Sequence, residues 1–170
     1  MADLFLPLLL GEKWCIRGEF MKLAEALNLR ADIAKRISQL STRLQNNALV
    51  QEGEKPAEAP EVLLKELDAL VVQQEELITR INITNAKTVS EGKTLTELIA
   101  HRDCLKTKIS VIRSFLDAAS RTVPRGLRSE IKILSTVKVS ELRRQDDALE
   151  KDFRETDVKI QTLNWNTELL

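Results

Sequence analysis

Residues 94–120 read TLTELIAHRDCLKTKISVIRSFLDAAS, and this stretch decides the fold. Its apolar residues Leu95, Leu98, Leu105, Ile109, Ile112, Leu116 and Ala119 recur at steps of three and four or their sum. That spacing keeps one side of a helix apolar for several turns. One step of the series falls on Arg102, where an apolar residue would be expected. Thr94-Leu-Thr-Glu97, just after Gly92, has the form of a capping box that starts the helix.

Outward from this helix the same periodicity repeats. Leu23, Ala26, Ile33, Ile37, Leu40 and Leu44, widened by Leu27 and Ala34, predict a first helix over 21–51, with Arg30 interrupting its seam. The polar stretch GEKPAEAP at 53–60 breaks it, and Pro60 suits the first turn of the next. Leu63, Leu67, Leu70, Leu77 and Ile81, flanked by Leu64, Val71 and Ile78, predict a second helix over 61–87, with Gln74 in its seam. Residues 88–93 read as a short turn, so the second and third helices should be antiparallel neighbours. After Ser120 the character changes. Pro124 and Gly126 stop the helix, and the β-branched run over 130–139 predicts one extended, β-like arm. A lone strand must pair with something, and 129–137 is expected to pair across a dimer or against the bundle. Ser140 is the expected cap of a fourth helix over 140–168, whose seam is Leu142, Leu149, Phe153, Ile160 and Leu163 with Asp146 and Thr156 as polar members.

The expected fold class is therefore all-α. It is an antiparallel up-down-up-down four-helix bundle over 21–170, with coiled-coil-like packing and the β-like arm between helices three and four. Residues 1–20 read as a leader outside the core, since the regular pattern opens at Met21. Within it Leu4-Phe-Leu-Pro-Leu-Leu-Leu10 is apolar but short. It has neither the basic flank of a signal peptide nor the ~20 residues of a membrane span. A docking hook for a partner chain is the functional alternative for it.

Composition narrows the function classes. Hydrophobic residues make up 43% of the chain, enough for a core, while aromatic residues make up 4% and Gly numbers five, which favours helices over sheets. Lys+Arg and Asp+Glu balance at 26 each, which argues against general polyanion binding but leaves room for a local patch. Cys15 and Cys104 match no metal or redox spacing and read as reduced thiols of a cytoplasmic protein. Gly92-Lys93-Thr94 imitates the end of a phosphate-binding loop, but Lys87 stands where that motif needs Gly. Asn82-Ile-Thr84 matches a glycosylation acceptor inside a helix, and is discounted there. His101, the sole histidine, has Glu97 one turn before it, yet the paired Glu and Glu-x-x-His of a di-iron bundle are missing. No metal, cofactor or catalytic triad is therefore expected.

One constellation follows from antiparallel helices. Arg30, Asn82, Asn85, Arg102, Asp103, Asn164 and Trp165 should all fall at one end of the bundle. A charge at a seam position is costly unless paired. Arg30 and Arg102 are accordingly expected either in a polar network with Asp32, Asp103 and the asparagines that fixes register, or as forks for a small anionic ligand. Separately, Arg121, Arg125, Arg128, Lys132 and Lys138 face only Glu130 in their segment, the best nucleic-acid candidate in 121–138. It lacks interleaved aromatics and any helix-turn-helix.

Several short motifs also resemble a known family. Lys22-Leu-Ala-Glu-Ala-Leu27 with Arg30-Ala-Asp32, Gln51-Glu-Gly53, Arg80-Ile-Asn82 with Thr84-Asn85, Thr94-Leu-Thr96, Arg102-Asp103, Arg128-Ser-Glu-Ile-Lys132 and Asn164-Trp165 with Thr167 resemble the septicolysin-like family of small bacterial helical proteins. The resemblance spans nearly all of 21–170 and implies a helical fold without an assigned activity. The functional expectation is a non-enzymatic, homodimeric interaction or scaffold protein. A small-anion binder or enzyme at the Arg30/Arg102 end, and a nucleic-acid binder through 121–138, are the alternatives.

Overall fold

Four long helices and one two-residue-stranded hairpin make up the regular structure of the computed structural model, which describes residues 21–120 and 134–170. They follow in the order α1 (Leu23–Asn46), α2 (Pro60–Lys87), β1 (Val89–Ser90), β2 (Lys93–Thr94), α3 (Leu95–Ser120) and α4 (Val139–Asn166). The leader 1–20 and the segment 121–133 lie outside the described residues.

Each helix starts or stops where its residues dictate. Pro60 opens α2, where its missing N–H costs no hydrogen bond. Before it, the α1–α2 connection is tied down by Asn47. Its Nδ2 donates to the Arg43 carbonyl at 2.9 Å and its Oδ1 accepts from the Glu58 N–H at 3.0 Å. Arg43 grips the Glu58 carboxylate through two nitrogens, and this bidentate contact holds the Glu58 carboxyl below its usual range. At α3 the capping box forms as the sequence predicts. Glu97 N–H donates to Thr94 Oγ1 at 3.2 Å, while Glu97 Oε2 accepts from the Thr94 N–H at 2.6 Å and from its hydroxyl at 2.8 Å.

The hairpin replaces the simple turn expected over 88–93. Val89 pairs with Thr94 and Ser90 with Lys93, antiparallel. Its two-residue loop puts Glu91 at φ 51° and Gly92 at φ 79°, the doubly left-handed pattern of a type I′ turn. The strand expected over 130–139 is absent from the part that is described. Over 134–138 the chain is irregular: Ser135 Oγ donates to the Val137 carbonyl at 2.9 Å and accepts from the Val137 N–H at 3.4 Å. A hydroxyl closing its own local turn competes with any ladder. α4 then begins at Val139, one residue before the expected Ser140 cap.

Helix α1 packs along α2, and α3 along α4; narrower contacts join α1 to α4 and α2 to α3. The shared core holds Leu23, Ala26, Ile33 and Leu40 of α1, Leu63, Leu70, Leu77 and Ile81 of α2, Leu95 and Leu98 of α3, and Ile160 with Leu169. Each fully buried Leu or Ile contributes about 1.5–3 kcal/mol relative to exposure. Leu105, Ile109 and Leu116 are buried too, yet they stand outside this shared core. The distal half of α3 is thus buried mainly against α4.

Candidate functional site

The beginning of α1, the end of α2, the hairpin, the beginning of α3 and the end of α4 meet at one pole. Backbone bonds tie them: Leu23 N–H donates to the Thr167 carbonyl at 2.9 Å, Leu169 N–H to the Met21 carbonyl at 2.8 Å, and Leu95 N–H to the Thr88 carbonyl at 2.8 Å. The completely buried Thr84 sits beneath. Its hydroxyl donates to the Arg80 carbonyl at 2.8 Å and accepts from the Leu170 N–H at 3.0 Å, while Arg80 Nε donates to the Leu170 carbonyl at 2.8 Å. This gives Arg80, Thr84 and the Thr167 backbone a physical role. They fasten the last residues onto the ends of α1 and α2, which satisfies polar groups that would otherwise be stranded.

Arg102 lies at this pole and is partly buried, with 29% of its side chain exposed. Its Nε and Nη2 contact Asp103 Oδ1 at 3.0 and 2.9 Å, and its Nη1 reaches Asp157 Oδ1 at 3.5 Å. Asp157 also accepts from Gln161 Nε2 at 2.8 Å. One guanidinium against two carboxylates leaves the cluster net negative, so it offers an anion no electrostatic attraction. Arg30 is exposed and pairs with no carboxylate among the described residues. Its expected place in a buried seam is corrected: the long stem lets its head reach water. Asn82 and Trp165 are exposed, Asn85 and Asn164 are half-buried, and the three asparagine side chains make no hydrogen bond among the described residues. Of the seven residues expected to converge, the structure joins Arg102 with Asp103 alone. Arg121, Arg125, Arg128 and Lys132 lie outside the described residues, and Lys138 pairs with Glu141 at 3.0 Å.

Two concave surfaces flank α3. The first, about 260 Å³, lies between the hairpin, α3 and α4. In it His101 Nε2 stands 3.3 Å from Asp152 Oδ2, Thr156 Oγ1 lies 3.4 Å from Asp152 Oδ1, and Lys159 pairs with Glu91. A His beside a carboxylate can exchange a proton. However, two lysines, Lys93 and Lys159, face three carboxylates, Glu91, Asp152 and Glu155, so the pocket offers an anionic ligand no net attraction. The second, about 490 Å³, follows the distal half of α3 with Ile109 and Phe153 among its lining residues. There Arg113 pairs with Glu150 and lies 3.4 Å from Asp146 Oδ2. Asp146 Oδ1 is buried without a hydrogen-bond partner among the described residues. Among those residues no three His, Cys, Asp or Glu side chains converge as metal ligands, and no helix is long and apolar enough to cross a membrane.

Sequence reasoning missed Asp157, Asp152 and the hairpin. Glu91-Gly92 between Val89-Ser90 and Lys93-Thr94 was the available signal for the hairpin. No sequence spacing signals the partners that α4 supplies from about fifty residues away.

These features define a protein of four long helices and one short hairpin. The chain belongs to a family of unknown function, DUF6847, whose model matches residues 30–169. The family description names no activity and does not carry the septicolysin-like name. In structure the chain is similar to a functionally unknown conserved protein from Corynebacterium diphtheriae. The two are 42% identical with a TM-score of 0.81, over 88% of this chain and 99% of that one. No curated protein matches the chain.

Proposed function

We propose that this protein is a non-enzymatic, cytoplasmic interaction protein that works as a homodimer. Its helices form an up-down-up-down bundle with coiled-coil-like packing. The bundle reading is supported by helix adjacency, with α1 and α3 each beside α2 and α4, and by the meeting of alternate helix ends at one pole. The seam spacing of threes and fours in all four helices supports the packing. One observation carries the functional reading: large apolar side chains stand exposed along three helices, among them Val71 and Val72 on α2, Val111 and Phe115 on α3, and Val158 and Trp165 on α4. Exposed aromatic and aliphatic surface on long helices is what protein partners bury. Sedimentation velocity across the micromolar range tests it. A concentration-dependent species of twice the chain mass is expected; a single species of monomer mass throughout would refute the homodimer.

A further inference from the structure

Helix α2 carries two apolar rows. One is buried on the core. The other, Leu64, Val71 and Ile78, is spaced by sevens and stays 49%, 46% and 36% exposed. Beside it runs a second row of sevens, Glu61, Asp68 and Glu75, all exposed. None of these three carboxylates forms an ion pair among the described residues. On the side of α4 away from its seam lies a third row of sevens: Arg144, Lys151, Val158 and Trp165. Val158 and Trp165 are 64% and 61% exposed. One surface is apolar with acidic flanks, and the other is apolar at one end and basic at the other. We infer that α2 of one copy docks against the outer row of α4 of a second copy, with Val158 and Trp165 on the apolar row and Arg144 and Lys151 on the acidic one. The inference rests on the self-association proposed above and names its surface.

Two observations favour a second copy as the occupant. The first is charge: α2 on α2 would bring its acidic rows together, whereas α4 on α2 pairs opposite signs. The second is Trp165, since an aromatic this exposed is the residue type that dominates binding energy once covered.

Full-length Asp68→Lys and Lys151→Glu chains test this by sedimentation equilibrium, with circular dichroism as the folding control. Both residues are exposed, so helix content should stay that of the wild type. Each variant alone should raise the dissociation constant about tenfold or more, because like charges then face each other in the contact. Mixed in equal amounts, the two should associate nearly as tightly as the wild type, since each reversed charge meets its complement on the other chain. Trp165→Ala should weaken association by a similar factor. Wild-type dimers that ignore the reversals, or mixtures no tighter than the single variants, would overturn this surface and leave the homodimer reading standing. A wild-type chain that stays monomeric would overturn both.

Discussion

Replacing Arg102 with Met removes a charge and keeps most of the stem. Asp103 is 59% exposed, so the contact it loses is a surface ion pair, worth about 0.2–1 kcal/mol. Asp157 is 31% exposed, loses a contact of 3.5 Å, and keeps the 2.8 Å bond from Gln161. Discounted for solvent screening, the total is about 1 kcal/mol of destabilisation. Arg30→Met, at an exposed and unpaired position, should stay within about 0.5 kcal/mol of the wild type. Because the two arginines share no partner, the double variant should equal the sum to within about 0.5 kcal/mol. Urea titration followed by circular dichroism measures all four chains. It should be repeated in phosphate, in sulfate and in a neutral buffer at matched ionic strength, with no anion-specific gain expected. A coupling energy near or above about 1 kcal/mol, or a stabilisation by phosphate that Arg102→Met abolishes, would refute this reasoning. It would also restore an anion site joining both arginines.

The hairpin and caps give further expectations. Thr94→Ala removes the hydroxyl that caps α3 and should cost about 1 kcal/mol, with Thr94→Ser recovering most of it in the same melts. The Glu97 carboxyl is held below its usual range, first by the Thr94 N–H and then by the Thr94 hydroxyl. Its stabilising effect is therefore complete above the ordinary carboxylate pKa and is lost as pH falls through the lowered one. Glu97→Gln should flatten that part of the acid limb of a melting-temperature profile, and an unchanged acid limb would contradict the assignment. At Gly92 an added Cβ would meet nothing within 4 Å, so Gly92→Ala should cost only the left-handed backbone strain, about 1 kcal/mol in thermal or urea unfolding. Leu95→Ala, at a position with no exposed surface, should cost about 2–5 kcal/mol, whereas Val111→Ala should stay within about 0.5 kcal/mol.

Periodicity and caps were enough to find the four helices, but α1, expected over 21–51, ends at Asn46, where Asn47 bonds back to the Arg43 carbonyl. The sequence starts α3 at Leu95 and the structure agrees, because Thr94 and Glu97 fix that start chemically. Asp146 and Thr156, read as polar members of the α4 seam, do turn inward: Thr156 is buried and the Asp146 side chain is 13% exposed. What was not legible depends on distance in the chain. An Arg at a seam position reads identically whether it finds a carboxylate, as Arg102 does, or reaches water, as Arg30 does. Two-residue strands fall below any periodic signal, and only the Glu91-Gly92 turn pair could have shown them. The β-branched run that suggested an arm was misleading over 134–138, where Ser135 bonds its own backbone.

The contact between Lys22 and Glu168 is an isolated antiparallel bridge, flanked by the Leu23–Thr167 and Leu169–Met21 backbone bonds. Residues 21 and 170 therefore lie side by side, and the chain between them traces a nearly closed loop in space. Such a chain can be cut elsewhere. A circular permutant in which a short glycine linker joins Leu170 to Met21, with new ends opened at the exposed Gly53, would keep every helix and the pole intact. The order in which the ribosome releases the helices would change, while the folded object would not.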